Sequence, residues 1–207
     1  MSTDGGGGEL FAETLARVRA DGIPAVGVSV GGGGEAAAAG ERLGLGDALR
    51  APPPSEDVRR YYAAADMLLA TSRAEGGEPT FSILEALGSG LAVVATDIPG
   101  HRLKPPAPRA LRVGPAEPGA LAELARRALQ AGEAARAAEA QQASAWVASP
   151  PRRQALGARD DRDLRAFSSA LTAPRRSLIA DPIGAATAGE PMILDSAWEV
   201  SVAKCIL

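Results

Sequence analysis

Apolar positions along this chain follow two alternating rhythms, one helical and one extended. Leu10, Phe11, Leu15 and Val18 recur at helical spacing up to the Asp21-Gly22 stop, which predicts a first helix. The glycines Gly5 to Gly8 ahead of it carry no side chain to bury and are expected to form a flexible lead-in. The β-branched run from Ala25 to Val30 then predicts a strand, Gly31 to Gly34 a turn, and Glu35 to Leu43 a helix. Asp47 to Ala51 predicts a short strand closed by Pro52, Pro53 and Pro54. Ser55 stands where a helix begins, with Glu56 and Asp57 in a first turn whose dipole favours acids, so a helix is expected through Tyr61 and Tyr62 to Ala65.

Further along, Met67 to Ala70 reads as a buried strand, Ser82 to Gly88 as a helix, and Leu91 to Thr96 as a second buried strand. Leu111, Arg112 and Val113 predict one more short strand. Pro118 opens a helix whose apolar face is Leu121, Leu124, Ala125, Ala128 and Leu129. This alternation predicts an α/β domain over residues 1–132, with a Rossmann-like, doubly wound parallel sheet. Beyond Gly132 the pattern loosens into an alanine-rich helix from Glu133 to Val147, a break at Pro150-Pro151, a charged helix from Arg159 to Leu171, and a Pro/Gly-punctuated remainder. Residues 133–207 are thus expected to be an irregular, α-rich extension, and nothing after Pro150 carries a functional reading.

Composition narrows the chemistry. Of the 207 residues 46% are apolar but only 3% aromatic, so the core must be built from Leu, Val, Ile and Ala. A single cysteine, Cys205, allows no internal disulfide and suits a reducing compartment; a single histidine, His101, argues against a zinc site with two histidine ligands. No metal and no cofactor are expected. A net charge of -3 and a pI near 5.3 leave no basic footprint for nucleic acid. No apolar run approaches the roughly 20 residues that cross a bilayer, and the first residues are acidic and glycine-rich, unlike a signal peptide. Cys205 is third from the end, whereas prenylation needs it fourth. The chain reads as cytoplasmic, with peripheral attachment to a membrane left open.

In an open parallel sheet, ligands bind beyond the carboxyl ends of the strands, where glycine-relaxed turns feed helix N-termini. Two junctions qualify: Gly31 to Gly34, and Thr71 to Thr80 leading into the helix that holds Ser82 and Glu85. Amides near Thr80, Phe81 and Ser82 would suit a pyrophosphate, and Glu85, one turn in, would suit vicinal ribose hydroxyls. Plainer readings stand beside these. Ser82-x-x-Glu85 is also a capping box, Glu75 and Glu78 are by default solvated loop acids, and Gly31 to Gly34 lacks the spaced dinucleotide fingerprint. His101, after the Pro99-Gly100 turn, is more often a loop residue than a catalyst.

The runs Tyr61 to Gly76 and Ile83 to Arg102 resemble the donor-binding core of the retaining group 1 glycosyltransferases, with a weaker match over Leu10 to Leu49 and Pro118 to Leu129. The resemblance implies the C-terminal half of a GT-B fold that holds a nucleoside-diphosphate sugar. It also implies hexosyl transfer with retention onto an acceptor glycan or lipid-linked sugar. In that family two glutamates bracket the phosphate-binding turn, the first against the donor sugar and the second against the ribose. Glu85 matches the second. Nine residues separate it from Glu75 and six from Glu78, so both Glu75 and Glu78 are candidates for the first, catalytic position. Thr80, Phe81 and Ser82 would hold the pyrophosphate, with Gly31, Gly32 and Gly33 beside the nucleotide.

Where the family has a basic pair ahead of its first helix, this chain has Met1 to Gly8, which leaves Arg73 and Arg102 as candidate phosphate contacts. The acceptor-binding half is expected on a separate chain. Asp161-Arg162-Asp163 imitates the D-x-D of metal-dependent transferases but falls in a charged helix. The alternative is a non-catalytic nucleotide-sugar-binding module or partner subunit. A sugar-nucleotide epimerase ranks behind both, because its acid and base come from two domains.

Overall fold

The computed structural model of the protein describes residues 7–31, 34–55, 57–74 and 81–149, together with the backbone of 200–205. Six strands are described: β1 (Ala25–Val30), β2 (Leu49–Arg50), β3 (Met67–Ala70), β4 (Ala92–Thr96), β5 (Leu111–Gly114) and β6 (Val200–Cys205). The described helices are α1 (Gly7–Ala20), α2 (Gly34–Arg42), α3 (Arg59–Ala64), α4 (Phe81–Gly88), α5 (Pro118–Gln130) and α6 (Glu133–Ala148). The strands form one sheet in the order β2-β1-β6-β3-β4-β5.

Because successive strand residues face opposite sides of a sheet, each buried strand feeds two cores. Met67, Leu69 and Val94 point into one, with Leu10, Phe11, Leu15 and Val18 of α1 and Leu121, Ala125, Ala128 and Leu129 of α5. Leu68, Val93 and Ala95 point into the other, with Tyr62 of α3, Ile83, Ala86 and Leu87 of α4, and Ala143 and Val147 of α6. The result is three layers, helix on sheet on helix, as the βαβ alternation predicts. Each large apolar side chain so buried stabilises the fold by about 1.5–3 kcal/mol.

The strands expected at 25–30, 67–70 and 91–96 form as β1, β3 and β4 and run in one direction. β3 and β4 pair in parallel, as do β4 with β5 and β1 with β2. β1 and β3 are each antiparallel to β6, hence parallel to each other. The parallel sheet expected from the sequence forms, and the structure adds to its centre one antiparallel strand that the sequence reading did not expect, β6. In a doubly wound sheet of order 3-2-1-4-5-6, β2 and β1 take places 3 and 2, while β3, β4 and β5 take places 4, 5 and 6. The central place is filled by β6, which pairs with β1 from Ala25↔Cys205 to Val30↔Val200 and with β3 at Met67↔Ala203 and Leu68↔Val202.

Three local expectations also change. Gly7 and Gly8 are helical, held by the Thr71 hydroxyl, which donates to the Gly7 carbonyl at 2.8 Å, and by the Glu35 carboxylate, which accepts from the Gly8 amide at 3.0 Å. Tertiary contacts here outweigh the poor helix propensity of glycine. Ser55 does not cap α3: its hydroxyl accepts from the Asp57 amide, and Val58 stands at the N-cap. The strand expected over 47–51 divides into a 3₁₀ turn, Gly46–Ala48, and the two-residue β2.

α6 is anchored to the sheet layers. Arg112 of β5 donates to both oxygens of Glu139 at 3.0 and 2.7 Å, and the Ser144 hydroxyl donates to the Gly88 carbonyl at 3.2 Å. The charged helix expected over 159–171, with Asp161, Arg162 and Asp163, lies outside the described residues.

α1 lies close against β1 because position 27 has no side chain: a Cβ there would stand 2.7 Å from Leu15 Cδ2 and 2.9 Å from Phe11 Cζ. Gly27→Ala is expected to lose about 1–3 kcal/mol of stability through overpacking, whereas Gly119→Ala, with open space around it, should be neutral or slightly stabilising. Val202→Pro removes a ladder donor between Val28 and Leu68 and is expected to cost on the order of 3 kcal/mol. Urea unfolding followed by circular dichroism checks all three, and a wild-type midpoint in Gly27→Ala or Val202→Pro would contradict the packing described.

Candidate functional site

Parallel strands deliver their carboxyl ends to one edge of the sheet. Gly31 follows β1 there, Thr71 and Ser72 follow β3, and Asp97 follows β4. Gly31 has φ 94°, a conformation open to glycine at little cost, and its amide donates to the Pro52 carbonyl at 3.2 Å. The first turn of α1 reaches the same edge, since a Cβ on Gly7 would lie 3.6 Å from Ser72 Cα. The Glu35 carboxylate accepts from the Gly8 amide, so an acid of this chain already serves the positive end of α1.

The loop ends after β3 and β4 are tied together by buried polar contacts. The Thr96 hydroxyl donates to the Ser72 carbonyl, and His101, fully buried, places Nδ1 3.0 Å from the Thr96 carbonyl oxygen. A carbonyl only accepts, so Nδ1 carries the hydrogen in that bond. His101 is thus a buried brace beneath the edge rather than an exposed loop residue.

Arg102 and Arg73 follow β4 and β3, but both are engaged within the chain. Arg102 grips Asp97 with two hydrogen bonds, Nε to Oδ1 at 2.6 Å and Nη2 to Oδ2 at 2.8 Å. That grip lowers the Asp97 pKa and raises that of Arg102, the hydrogen bonding being the larger cause in each case. Exposed as they are, the two contribute little to stability. Arg73 donates to the Ala116 carbonyl at 3.4 Å, toward the connection into α5.

α4 begins at this edge with Phe81, which is 38% exposed, and Ser82, half-buried. Ser82 lies inside the helix rather than at its cap. Glu85 is one turn further and half-buried, and its Oε2 accepts from the Tyr62 hydroxyl at 3.2 Å. Tyr62 is 1% exposed, packed on α3 among Leu68, Ile83 and Leu87. Burial first, then the charge of Glu85 and the hydrogen bond to it, hold the phenol far above the usual tyrosine range. Glu75, Glu78, Thr80, Gly32 and Gly33 lie outside the described residues.

Of the residues from the sequence reading, Gly31, Arg73, Phe81, Ser82 and Arg102 follow strands or open a helix at this edge, as do Thr71 and Ser72 of the second junction, and Glu85 lies one turn down α4. The structure adds Gly7, Gly8 and Thr96 at the edge, and Tyr62, which meets Glu85 from α3. Tyr62 had a signal: Val58 and Tyr62 share a helix face, and a buried phenol requires an acceptor. Among the described residues no group of three or more His, Cys, Asp and Glu is arranged to hold a metal ion, and no helix is long and apolar enough to cross a membrane.

The family model described as Glycosyl transferases group 1 matches residues 5–131. The chain belongs to the group 1 glycosyl transferases. As a member of that family it shares its fold with solved structures. It is similar to the crystal structure of Anabaena Alr3699/HepE in complex with UDP and glucose, with 21% identity and a TM-score of 0.56, over 77% of this chain and 42% of that one. It is similar also to Anabaena Alr3699/HepE in complex with UDP-glucose, with 20% identity and a TM-score of 0.55, over 78% and 43%. This group 1 chain thus spans under half the length of the structures it matches. Among curated proteins none matches it.

The raised Tyr62 pKa has a consequence for stability. A phenol that binds its proton more tightly when folded stabilises the fold fully below about pH 10, and the unfolded chain releases its proton first as pH rises. Stability is expected to fall above about pH 10 by up to about 1.4 kcal/mol per pH unit from this group. Tyr62→Phe should flatten that alkaline slope. Urea midpoints measured across the alkaline range check this, and identical slopes in the two proteins would contradict it.

Proposed function

We propose that this chain holds a nucleoside-diphosphate sugar at the carboxyl edge of its sheet and supplies the donor half of a retaining hexosyl transfer. The observation that carries the reading is Glu85, a half-buried carboxylate one turn below the head of α4, on the edge where β1, β3 and β4 end. A helix N-terminus attracts a diphosphate, and a carboxylate one turn deeper suits the hydroxyls of the ribose beside it. The UDP complexes of the similar Anabaena structures support the same reading.

In this reading the amides of Thr80, Phe81 and Ser82 bind the pyrophosphate and Gly31 to Gly33 flank the nucleotide. Glu75 or Glu78 contacts the donor sugar. The bond from the anomeric carbon to the diphosphate oxygen breaks and the diphosphate leaves with the electron pair, the acceptor oxygen bonds to the same face of that carbon, and the acceptor hydroxyl's proton passes to the departing diphosphate. Positioning and cationic stabilisation supply most of such catalysis. The acceptor, a glycan or lipid-linked sugar, docks on a separate acceptor-domain chain in this proposal, and no metal or cofactor takes part.

One observation favours a second reading, a donor-binding module without turnover. Arg102 is paired with Asp97 and Arg73 with a backbone carbonyl, so the positive charge of Arg102 is already partly offset and each arginine would meet a diphosphate with some of its five donors committed.

Titration calorimetry tests the binding reading. UDP is expected to bind with a dissociation constant between about 1 μM and 1 mM, unchanged by a chelator, and Glu85→Ala to weaken it on the order of tenfold. No binding at millimolar UDP, or wild-type affinity in Glu85→Ala, would refute the ribose contact. Incubation with UDP-sugar and acceptor separates the two readings: the chain alone should show no turnover. Transfer on adding an acceptor-domain chain supports the enzyme, and its absence the module.

A further inference from the structure

α3 carries two neighbouring tyrosines at its middle, with opposite surroundings. Tyr61 turns to Arg60, whose guanidinium lies 5.0 Å from its ring centre and donates to its hydroxyl at 3.2 Å. Tyr62 turns inward, is 1% exposed, and spends its hydroxyl on Glu85 Oε2 across from α4 at 3.2 Å. We propose that Tyr62 is a positioning residue that fixes the Glu85 carboxylate for the ribose hydroxyls of the donor nucleotide. This rests on the donor-site reading above and adds to it a residue that touches no ligand.

Three physical points carry it. The ring is locked among Leu68, Ile83, Ala86 and Leu87, so its hydroxyl is a fixed donor, whereas a glutamate side chain has several freely turning bonds. Holding those bonds before the ligand arrives removes part of the ordering cost of binding. A carboxylate offers about four acceptor sites on its two oxygens, so one phenol orients Glu85 without exhausting it. Finally, a core that needed only bulk at position 62 would be served by phenylalanine, since a buried hydroxyl demands a partner that the ring does not.

The test is titration of the full chain with UDP and with a dideoxy-UDP that lacks both ribose hydroxyls. Tyr62→Phe is expected to weaken UDP on the order of tenfold and to leave the dideoxy analogue within about twofold. Tyr61→Phe should change neither. Tyr62→Phe combined with Glu85→Ala should bind no more weakly than Glu85→Ala alone, because the two act as one unit.

Equal loss for both ligands, full additivity, or no loss in Tyr62→Phe would overturn the proposal while leaving the Glu85 contact intact. A wild-type protein that binds UDP and the dideoxy analogue alike would overturn both readings, and it shows before any variant is made. Should Tyr62→Phe fail to fold, fluorine NMR of wild type replaces it. The chain has 2 tyrosines, so meta-fluorotyrosine gives one signal each, assigned through Tyr61→Phe. The Tyr62 signal should move with UDP and stay with dideoxy-UDP, and an unmoved signal would overturn the proposal.

Discussion

β1 and β3 do not pair with each other; each pairs with β6, and the sheet is one body through that strand. The ladder is lopsided, running the length of β1 but meeting β3 only at Met67 and Leu68. Net contributions of about 0.5–1.5 kcal/mol per hydrogen bond therefore favour the β1 side. The β3 side relies more on helix packing: α1 lies against both halves through Leu10, Phe11, Leu15 and Met67, and the Thr71 hydroxyl holds the Gly7 carbonyl. A strand at the centre and a helix over it fix where Gly31 stands relative to Thr71 and Thr96.

That placement is what any ligand at the edge would meet. Beneath the edge, Thr96, His101 and Ser72 lock the ends of β4 and β3 together. To one side, Tyr62 joins α3 to α4 at Glu85. These are buried or partly buried polar contacts, costly to leave half-made and specific in direction when complete. The acid is thereby held on a rigid scaffold, while the arginines nearby sit in exposed contacts that are cheap to exchange.

The elements legible in the sequence are those whose signal is local. Met67 to Ala70, Phe81 to Gly88, Ala92 to Thr96 and Pro118 to Gln130 each carry an uninterrupted apolar pattern between breakers, and they form where expected. The place of Glu85, one turn into a helix after a strand, was also legible. What escaped depends on partners distant in the chain. Val200 to Cys205 is a short alternating run whose partners β1 and β3 lie far ahead of it, and no local window shows that it enters the sheet centre. Gly7 and Gly8 look flexible until Thr71 and Glu35 hold them. Tyr62 looks like bulk on a helix face until the fold brings Glu85 to its hydroxyl, and Arg102 looks like a free cation until Asp97 is seen to face it.

Amide chemical-shift mapping of the full chain with UDP tests most directly whether this edge is the nucleotide site. The shifts are expected to concentrate at Gly31, Thr71, Ser72, Phe81, Ser82 and Glu85, with a smaller response at Tyr62 carried through its hydrogen bond. Shifts confined to the outer faces of α5 and α6, or no shifts at millimolar UDP, would contradict it.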